Sequence, residues 1–239
     1  MSETGSTNAD MLAVAAAGAR EGLWLRAERQ TAGRGRQGRE WVSPDGNLYA
    51  STVVRLRPAD PAAPTLALVA GVALAEVIAT ALSRDVETGP GGHAEALYLK
   101  WPNDLLLGGA KLSGILLERA GDTVVIGFGV NVAHHPPVPG RPTTSLAAHR
   151  FTGHAEVILA ALAAQFAVRV TEWRDEGLDP VRERWLALAH PRGQSLSARL
   201  PDGSALDGVF DGLAADGAML LRLANGSTRA IHAGDVFTL

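Results

Sequence analysis

Short apolar runs bounded by turn residues predict most of the strands in the first two-thirds of the chain. Runs rich in branched apolar residues, separated by glycine, proline, asparagine or aspartate, are typical of strands. The predicted strands cover residues 23–28, 47–56, 97–100, 105–107, 112–118 and 123–132. Gly108-Gly109 and Gly121-Asp122 separate the last three, which is the pattern of successive hairpins.

Longer apolar stretches predict four helices. They cover residues 9–20, 66–82, 153–177 and 179–189. The second is the longest apolar run of the chain, and Glu76 interrupts it. Because a membrane span needs about 20 apolar residues, this run is better interpreted as a buried core helix. Pro180 stands at the first position of the fourth helix, where proline is tolerated.

Three polar residues, Ser6-Thr7-Asn8, precede the first helix. Their side-chain oxygens can accept hydrogen bonds from the free amides of a first helical turn, and capping alone accounts for them. The glycine and proline content predicts loops over residues 86–95 and 133–142. His134 and His135 lie in the second loop without a partner at metal-ligand spacing, so we expect both to be exposed.

The pattern changes near residue 190. Four short alternating segments follow, separated by Pro-Asp-Gly, Asp-Gly and Asn-Gly turns, at residues 195–200, 206–213, 218–223 and 228–233. They predict a small antiparallel β-barrel. The sequence therefore indicates two domains, residues 1–189 and 190–239, and we expect the second to be too small to carry the main site.

Composition narrows the function. The 239 residues carry a formal net charge of −3, which argues against general binding to nucleic acids. The absence of cysteine excludes disulfides, thiolate metal sites and a thioester intermediate on the protein. Residues 1–11 lack the features of a signal peptide. We therefore expect a cytoplasmic protein that contacts neither DNA nor a membrane.

Positive charge is concentrated in residues 29–41, which we call the arginine loop. It contains four arginines and three glycines and ends on Trp41. Glycine lets the backbone approach a ligand, and arginine presents a planar fork of donors that fits phosphate or carboxylate oxygens. Such a loop is suited to closing over a polyphosphate. A solvated basic loop with turn glycines is the alternative.

Several motifs occur together in one order. They are Ser6-Thr7-Asn8, Gln30, residues 33–41, Ser43-Pro44, Asn47-Leu48-Tyr49, residues 100–104, 111–116 and 127–132, and Thr144-Ser145-Leu146. Together they resemble the biotin–protein ligases of the short kind that lacks an N-terminal DNA-binding domain. The resemblance covers most of residues 6–146 and, more loosely, the C-terminal segment.

The resemblance implies an α+β fold and a two-step reaction. The catalytic core of the family is similar to that of class II aminoacyl-tRNA synthetases, a mixed sheet flanked by helices, and its C-terminal piece is similar to an SH3-like barrel. In the reaction, biotin and ATP, with Mg²⁺, give biotinyl-5′-AMP and pyrophosphate. A lysine of the biotin carboxyl carrier domain of acetyl-CoA carboxylase, or of a related carboxylase, then takes the biotin and releases AMP.

The resemblance also implies roles for particular residues. Expected to be catalytic are Lys111, Arg36 and Asp104. Expected to bind biotin are Ser6, Thr7, Gln30, Arg34, Arg36, Lys111 and Gly114. Expected to bind the nucleotide are Arg36, Arg39, Trp41, Lys111, Asn131 and Ser145. The family uses Mg²⁺ with ATP, an ion that often keeps its waters and the phosphates as ligands, and no protein metal ligand is expected.

Simpler interpretations stay open for some of these motifs. Lys100 and Trp101 are alternatively structural, with the tryptophan in the core and the lysine paired. Gly127 and Gly129 alternatively allow close strand packing, and Asn131 is alternatively a turn residue. The sequence departs from the family pattern at three places. The chain starts five residues before Ser6, where the family has a strand, so that strand is expected to be short or missing. Gln37 replaces a common arginine, and Ser113 replaces a usual alanine.

Three other functions remain open. A lipoate ligase or octanoyl transferase shares the fold but lacks the combination of residues 33–41 with residues 100–104. A biotin-responsive repressor would need a helix-turn-helix, for which the chain offers no room before Ser6. A module that binds biotin or nucleotide without turnover would not need both Lys111 and the full arginine loop. The sequence leaves open whether the protein is a monomer or a homodimer.

Overall fold

The computed structural model describes residues 1–85, 96–138 and 140–238. The loop predicted at residues 86–95 lies outside these ranges. The helices are α1 (Thr7–Ala16), α2 (Leu66–Asp85), α3 (Ala155–Asp175) and α4 (Asp179–Leu188). The strands of the first part are β1 (Glu3–Thr4), β2 (Trp24–Ala27), β3 (Arg29–Gln30), β4 (Leu48–Arg55), β5 (Leu97–Lys100), β6 (Asp104–Leu107), β7 (Ala110–Ala120) and β8 (Thr123–Val130). The remaining strands are β9 (Ser195–Arg199), β10 (Ala205–Leu213), β11 (Met219–Arg222), β12 (Thr228–Ile231) and β13 (Asp235–Thr238).

Each helix and strand predicted from the sequence is present, with ends displaced by at most four residues. Three strands were not predicted: β1, β3 and β13. The first two pair in parallel, with Glu3 opposite Arg29 and Thr4 opposite Gln30. The strand expected to lead into Ser6 is therefore present in a short form.

A six-stranded sheet forms the centre of the molecule. Its strands lie in the order β2-β4-β8-β7-β6-β5, and every neighbouring pair is antiparallel. Within the described ranges, parallel pairing occurs between β1 and β3 and at single bridges of Leu99 and Lys111. The predicted α+β architecture, a sheet with flanking helices, is confirmed. The central sheet is antiparallel throughout, and the parallel component comes from the separate β1–β3 pair.

The two faces of this sheet have different chemistry because side chains alternate along a strand. On β8, Ile126 and Phe128 point into the main core, which α2 and α3 cover. Val125 points the other way and packs with Met11 of α1. Further along that second face, the outward positions of β8 are Gly127 and Gly129. Large side chains thus fill one face, and the other has a floor of glycines.

Helix α2 is the predicted buried core helix. Among the described helices, Ala63–Ser83 is the one stretch long and apolar enough to cross a membrane by length and composition. Of its most apolar window, 67% is buried inside the protein. It packs against β5, β6 and β7 as well as α3 and α4, so its apolar surface is used by the core.

The C-terminal strands form a separate antiparallel sheet in the order β12-β11-β10-β9-β13, an arrangement compatible with the predicted SH3-like barrel. Its apolar side joins the main core. Trp185 of α4 lies 6.4 Å from Phe210 of β10, measured between ring centroids. Trp101 donates a hydrogen bond from Nε1 to the carbonyl oxygen of Gly217, at 3.2 Å. The barrel is therefore packed directly on the larger part.

Candidate active site

The glycine floor of the sheet allows two side chains to lie flat on it. A methyl group built on Gly129 would lie 2.6 Å from Cε2 of Trp41, and one on Gly127 would lie 2.2 Å from Oδ1 of Asn8. Gly114 of β7 also faces Trp41, at 3.0 Å from Cζ3. The atoms that a side chain at these positions would meet belong to Trp41 and Asn8. The glycines therefore make room for these two side chains, whereas the simpler interpretation assigned them only to close packing of strands.

A cavity of about 390 Å³ lies above this floor. The arginine loop, the start of α1, the loop after β8 and Asp235 of the barrel surround it. This volume falls in the range of small-molecule sites. The expected site residues that line it are Ser6, Thr7, Gln30, Arg34, Arg36, Arg39, Trp41, Asp104, Lys111, Gly114 and Asn131.

One end of the cavity is built from a chain of neutral polar groups. Gln30 accepts hydrogen bonds at Oε1 from the backbone amide of Thr7, at 2.9 Å, and from its hydroxyl, at 3.1 Å. Ser51 Oγ lies 2.8 Å from Thr7 Oγ1 and 2.7 Å from Asn8 Oδ1, and Asn8 Nδ2 donates to Glu118. The side chains are thus held in place before any ligand arrives.

Ser6 occupies the N-cap position of α1, but its hydroxyl makes no capping hydrogen bond. The expectation that capping alone accounts for this serine is therefore wrong. The side chain is buried at the cavity wall and has no hydrogen-bond partner among the described residues. Its hydroxyl is available to a ligand.

The other end of the cavity carries charge. Lys111 Nζ lies 2.6 Å from Asp104 Oδ1, and both side chains are largely buried. The same ammonium group lies 5.4 Å from the centroid of the Trp41 ring, within cation–π range. The β6–β7 pairing places Asp104 opposite Gly114, which sets this ion pair directly beside the glycine floor.

The arginine loop is ordered by contacts that reach across the molecule. Arg36 donates to Asn103 Oδ1 at 3.2 Å and to the carbonyl oxygen of Gly234 at 2.9 Å. Burial lowers the pKa of Arg36, while the charges of Asp235 and Asp104 oppose that shift. Since an arginine starts from a pKa far above neutrality, its guanidinium stays charged.

Two expected nucleotide residues occupy different places. Asn131 lines the cavity, and its Nδ2 donates to the carbonyl oxygen of Thr144 at 2.9 Å. Ser145 is buried but does not line the cavity, and its Oγ lies 3.0 Å from Nδ1 of His135. The structure therefore does not bring Ser145 to the site with the others.

Lys100 and Trp101 take structural positions. Trp101 is in the core, as the simpler interpretation proposed. Lys100 Nζ lies 5.6 Å from the centroid of the Phe237 ring, and burial lowers the pKa of this lysine against the opposing charge of Asp104. Neither residue lines the cavity.

Among the described residues, no group of three or more histidine, cysteine, aspartate or glutamate side chains is arranged to hold a metal ion. His134 and His135 are exposed, as expected for that loop.

Profiles of known families match both parts of the chain. Residues 11–131, just over half of the sequence, match the profile described as "Biotin/lipoate A/B protein ligase family". The chain belongs to that family. Residues 193–239 match the profile described as "Biotin protein ligase C terminal domain", which extends the agreement to the barrel.

Individual relatives of the ligase family match along the whole chain. A protein of Paracoccus denitrificans named "Biotin--[acetyl-CoA-carboxylase] ligase" is 38% identical over 249 residues, covering 99% of this chain and 98% of the relative. The biotin protein ligase of Leishmania major in complex with biotinyl-5-AMP is 27% identical, with a TM-score of 0.65 and 97% of each chain covered. The Aquifex aeolicus biotin protein ligase with biotin and ATP has a TM-score of 0.81 at 23% identity, covering 100% of this chain and 97% of that one, and shows the fold.

Within this ligase-family site, four residues were missed by sequence reasoning. Asn8 and Asn103 were inside recognised motifs but had been given no role at a ligand site. Arg141 and Asp235 lay outside them, in a proline-rich loop and in a barrel that was expected to be too small to carry the main site. All four line the cavity. The acidic residue in Gly234-Asp235 carried no signal of its own, because its partners are far away in sequence.

Proposed function

We propose that the protein is a biotin–protein ligase that activates biotin with ATP and transfers it to a lysine of a carboxyl carrier domain. The observation that carries the proposal is the cavity itself. It has a neutral polar end, a glycine floor under Trp41, and a charged end with Lys111 and the arginine loop. Support also comes from the Paracoccus denitrificans relative, whose name states this activity and whose length is matched almost completely.

The first half-reaction needs positive charge more than acid or base. An oxygen of the biotin carboxylate attacks the α-phosphorus of ATP, and the bond to the β-phosphate oxygen breaks to release pyrophosphate. Both reactants are anions, so positioning and charge stabilisation dominate. We assign Lys111 to the carboxylate and α-phosphate, and Arg36 and Arg39 to the phosphates. Arg34, an exposed residue at the mouth, would help hold the acid.

The polar end suits the ureido ring of biotin. This ring presents two N–H donors and one carbonyl acceptor, and Ser6, Thr7 and Gln30 supply complementary groups. The hydrogen bonds that lock Thr7 to Gln30 reduce the loss of side-chain freedom on binding. Gly114 would lie against the ligand beside Trp41, whose Cζ3 is 3.0 Å from a methyl group built on this glycine.

Trp41 and Asn131 are assigned to the adenylate. The tryptophan would pack over the ligand beneath the adenine, and Asn131 would address the edge of the base. Ser145 keeps this assignment only if the loop carrying His135 moves, because its hydroxyl now faces that ring. Closure of the arginine loop would keep water away from the mixed anhydride.

The second half-reaction transfers the acyl group. The ε-amine of the carrier lysine attacks the acyl carbon of biotinyl-5′-AMP, an amide bond forms, and AMP leaves. Asp104 would orient the incoming amine, since its carboxylate stands at the charged end of the cavity beside Lys111.

Mg²⁺ would arrive as the complex with ATP. The described residues provide no protein cage for it, and Asp104 already has Lys111 as its partner. The ion would shield the triphosphate charge, and no protein ligand is assigned to it.

Further proposals concern the whole protein. We place the functional domain boundary between residues 189 and 190, in the connection between α4 and β9. The carrier would belong to acetyl-CoA carboxylase or a related carboxylase. We further propose a cytoplasmic monomer or homodimer that contacts neither DNA nor a membrane, which the net charge of −3 supports for DNA.

The test is pyrophosphate release from ATP and Mg²⁺, with biotin, lipoate or octanoate supplied in parallel. Release with biotin alone is the expected result. Release only with lipoate or octanoate would place the protein with the other branch of its family. Absence of pyrophosphate release with all three acids would indicate a module that binds biotin or nucleotide without turnover.

A further inference from the structure

One carboxylate of the barrel stands among three arginines. Asp235 lies 2.9 Å from Nη2 of Arg39, 3.7 Å from Nη1 of Arg36 and 3.9 Å from Nη2 of Arg141. Its side chain is only 15% exposed. The three arginines and Asp235 all line the cavity, at its charged end.

These four residues come from three separate parts of the chain. Arg36 and Arg39 belong to the arginine loop, Arg141 to the loop after β8, and Asp235 begins β13. Phe237 follows on the same face of β13, and the guanidinium of Arg141 lies 5.0 Å from its ring centroid. The barrel therefore holds Arg141 through both a charge and an aromatic ring.

The charges determine what this group can bind. Three guanidinium groups in one place repel each other, and one carboxylate offsets part of that repulsion. Burial alone would raise the pKa of Asp235, but the hydrogen bond from Arg39 and the charges of Arg39, Arg36 and Arg141 outweigh it and lower the pKa. The cluster keeps a formal charge of about +2, which suits a polyphosphate.

We propose that Asp235 is a positioning residue that holds Arg36, Arg39 and Arg141 together as the binding site for the β- and γ-phosphates of ATP. Arg141 is then a further phosphate-binding residue. This rests on the proposed function for the identity of the polyphosphate. The barrel thereby contributes to the first half-reaction, although the reacting atoms lie over the central sheet.

An opposite role for Asp235 gives a different outcome. If the carboxylate merely occupied the place of a phosphate, ATP would have to displace it, and its removal would tighten ATP binding. If it positions the arginines, its removal lets them move apart and weakens ATP binding. The sign of the change therefore decides between the two.

The experiment measures pyrophosphate release against ATP concentration at saturating biotin, and against biotin concentration at saturating ATP. The variants are Asp235→Asn and Arg141→Met, which keep most of the side-chain volume. The matched controls are Asp211→Asn and Arg222→Met, which remove the 3.8 Å ion pair between β10 and β11 of the same barrel, away from the cavity.

We expect Asp235→Asn and Arg141→Met to raise the KM for ATP about tenfold, with the KM for biotin changed less than about twofold. Asp235→Glu should recover part of the loss, and the two controls should match the wild type. An unchanged or lowered KM for ATP in Asp235→Asn would overturn the proposal, provided that the variant unfolds at the wild-type temperature.

A second arm needs no turnover. Calorimetric titration with tripolyphosphate should show binding to the wild type that weakens about tenfold in Asp235→Asn and Arg141→Met. Absence of pyrophosphate release by the wild type with every acid would refute the proposed function, and this arm would still test the cluster. Equal tripolyphosphate affinity in the wild type, Asp235→Asn and Arg141→Met would refute the cluster alone.

Discussion

Lys111 is held between a carboxylate and an aromatic face. Its contacts with Asp104 and Trp41 fix the ammonium group at the charged end of the cavity, where the proposed attack on ATP would develop negative charge. Lys100 is the other lysine of the sequence, and it stands outside the cavity wall over Phe237. Two residues of the same type thus have different surroundings, and we assign a catalytic role only to Lys111.

Replacing Lys111 with alanine should slow pyrophosphate release at least about a hundredfold, because a preorganised charge at the reacting phosphate is lost. Steady-state release with saturating biotin and ATP measures this. Arg119→Ala is the control, since it removes an exposed cation from the same strand, where the side chain bonds to Gly121. A near-normal rate in Lys111→Ala would show that the assigned role is wrong.

Replacing Arg36 with glycine should leave adenylate formation partly intact but let the adenylate escape. The reason is that Arg36 fastens the arginine loop to Asn103 and Gly234. Labelling of a lysine-rich bystander protein, mixed with the carrier domain, measures the escape. Labelling confined to the carrier would contradict this account of the loop.

At the residue scale, sequence reasoning identified residues that line the cavity, and it failed where the partner of a residue is distant in sequence. Arg36 and Lys111 stand in motifs whose chemistry is visible in the sequence. The partner of Arg39, Asp235, is 196 positions away, and no local pattern connects them. Ser145 differs in the opposite way. Its motif was recognised, but its hydroxyl contacts His135 and the residue does not line the cavity.

At the scale of elements, β7 and β8 divide their faces between core and cavity. Each presents large apolar side chains to the main core. On the other side, Gly114 of β7 and Gly127 and Gly129 of β8 leave room for Trp41 and Asn8. The side of the sheet that carries glycine is the side on which Trp41 lies, so the strand pattern determines the shape of the cavity floor.

Gly129→Ala tests this floor. A methyl group 2.6 Å from the indole would push Trp41 off the sheet. We expect pyrophosphate release to fall about tenfold or more, with the melting temperature lowered by only a few degrees, as for overpacking of one methyl group. Gly5→Ala is the control, because no atom lies within 4 Å of its added methyl group. Full activity in Gly129→Ala would contradict the placement of Trp41.

Helix α3 is tied to the start of the sheet by Arg174, which bonds to Glu21 at 2.5 Å and to Asp60 at 3.2 Å. The hydrogen bond from Arg174 lowers the pKa of Glu21, against the effect of its burial. A carboxylate whose pKa is lowered by folding stabilises the folded state at pH values above its unfolded-state pKa of about 4.3. This stabilisation is lost as the pH falls through the folded-state pKa.

Glu21→Gln should therefore lower the melting temperature at pH 7 and make it less sensitive to acid between about pH 5 and pH 3. Thermal unfolding across this range measures the effect. Glu28→Gln, at an exposed position without an ion pair to a described residue, should behave as the wild type. Parallel curves for Glu21→Gln and the wild type would show that the Arg174 contact adds no pH-dependent stability.

The main strands and helices were predictable because each is long enough for its pattern of apolar and polar residues to be recognised in the sequence. Strands β1 and β3 have two residues each, which is too short for any alternation to be read. Strand β13 has four, and it exists because it completes the barrel edge beside β9. Tertiary pairing, which a local pattern does not contain, accounts for all three.

At the scale of the whole molecule, the barrel is part of both the core and the site. Trp101 and Trp185 contact it from the larger part, and its own residue Asp235 lies at the cavity. The expectation that the barrel is too small to carry the main site holds for the floor and for Lys111. It misses the contribution of the barrel to the arginine cluster. A ligand at this cluster would therefore contact residues from both ends of the sequence.

The central claim is that this protein attaches biotin, and no related acid, to a carrier lysine. The most direct measurement is the intact mass of a biotin carboxyl carrier domain after incubation with the protein, ATP, Mg²⁺ and an equal mixture of biotin, lipoate and octanoate. We expect a mass increase of one biotinyl group, and none when the target lysine is replaced by arginine. An unmodified carrier, or one carrying lipoate or octanoate, would contradict the account.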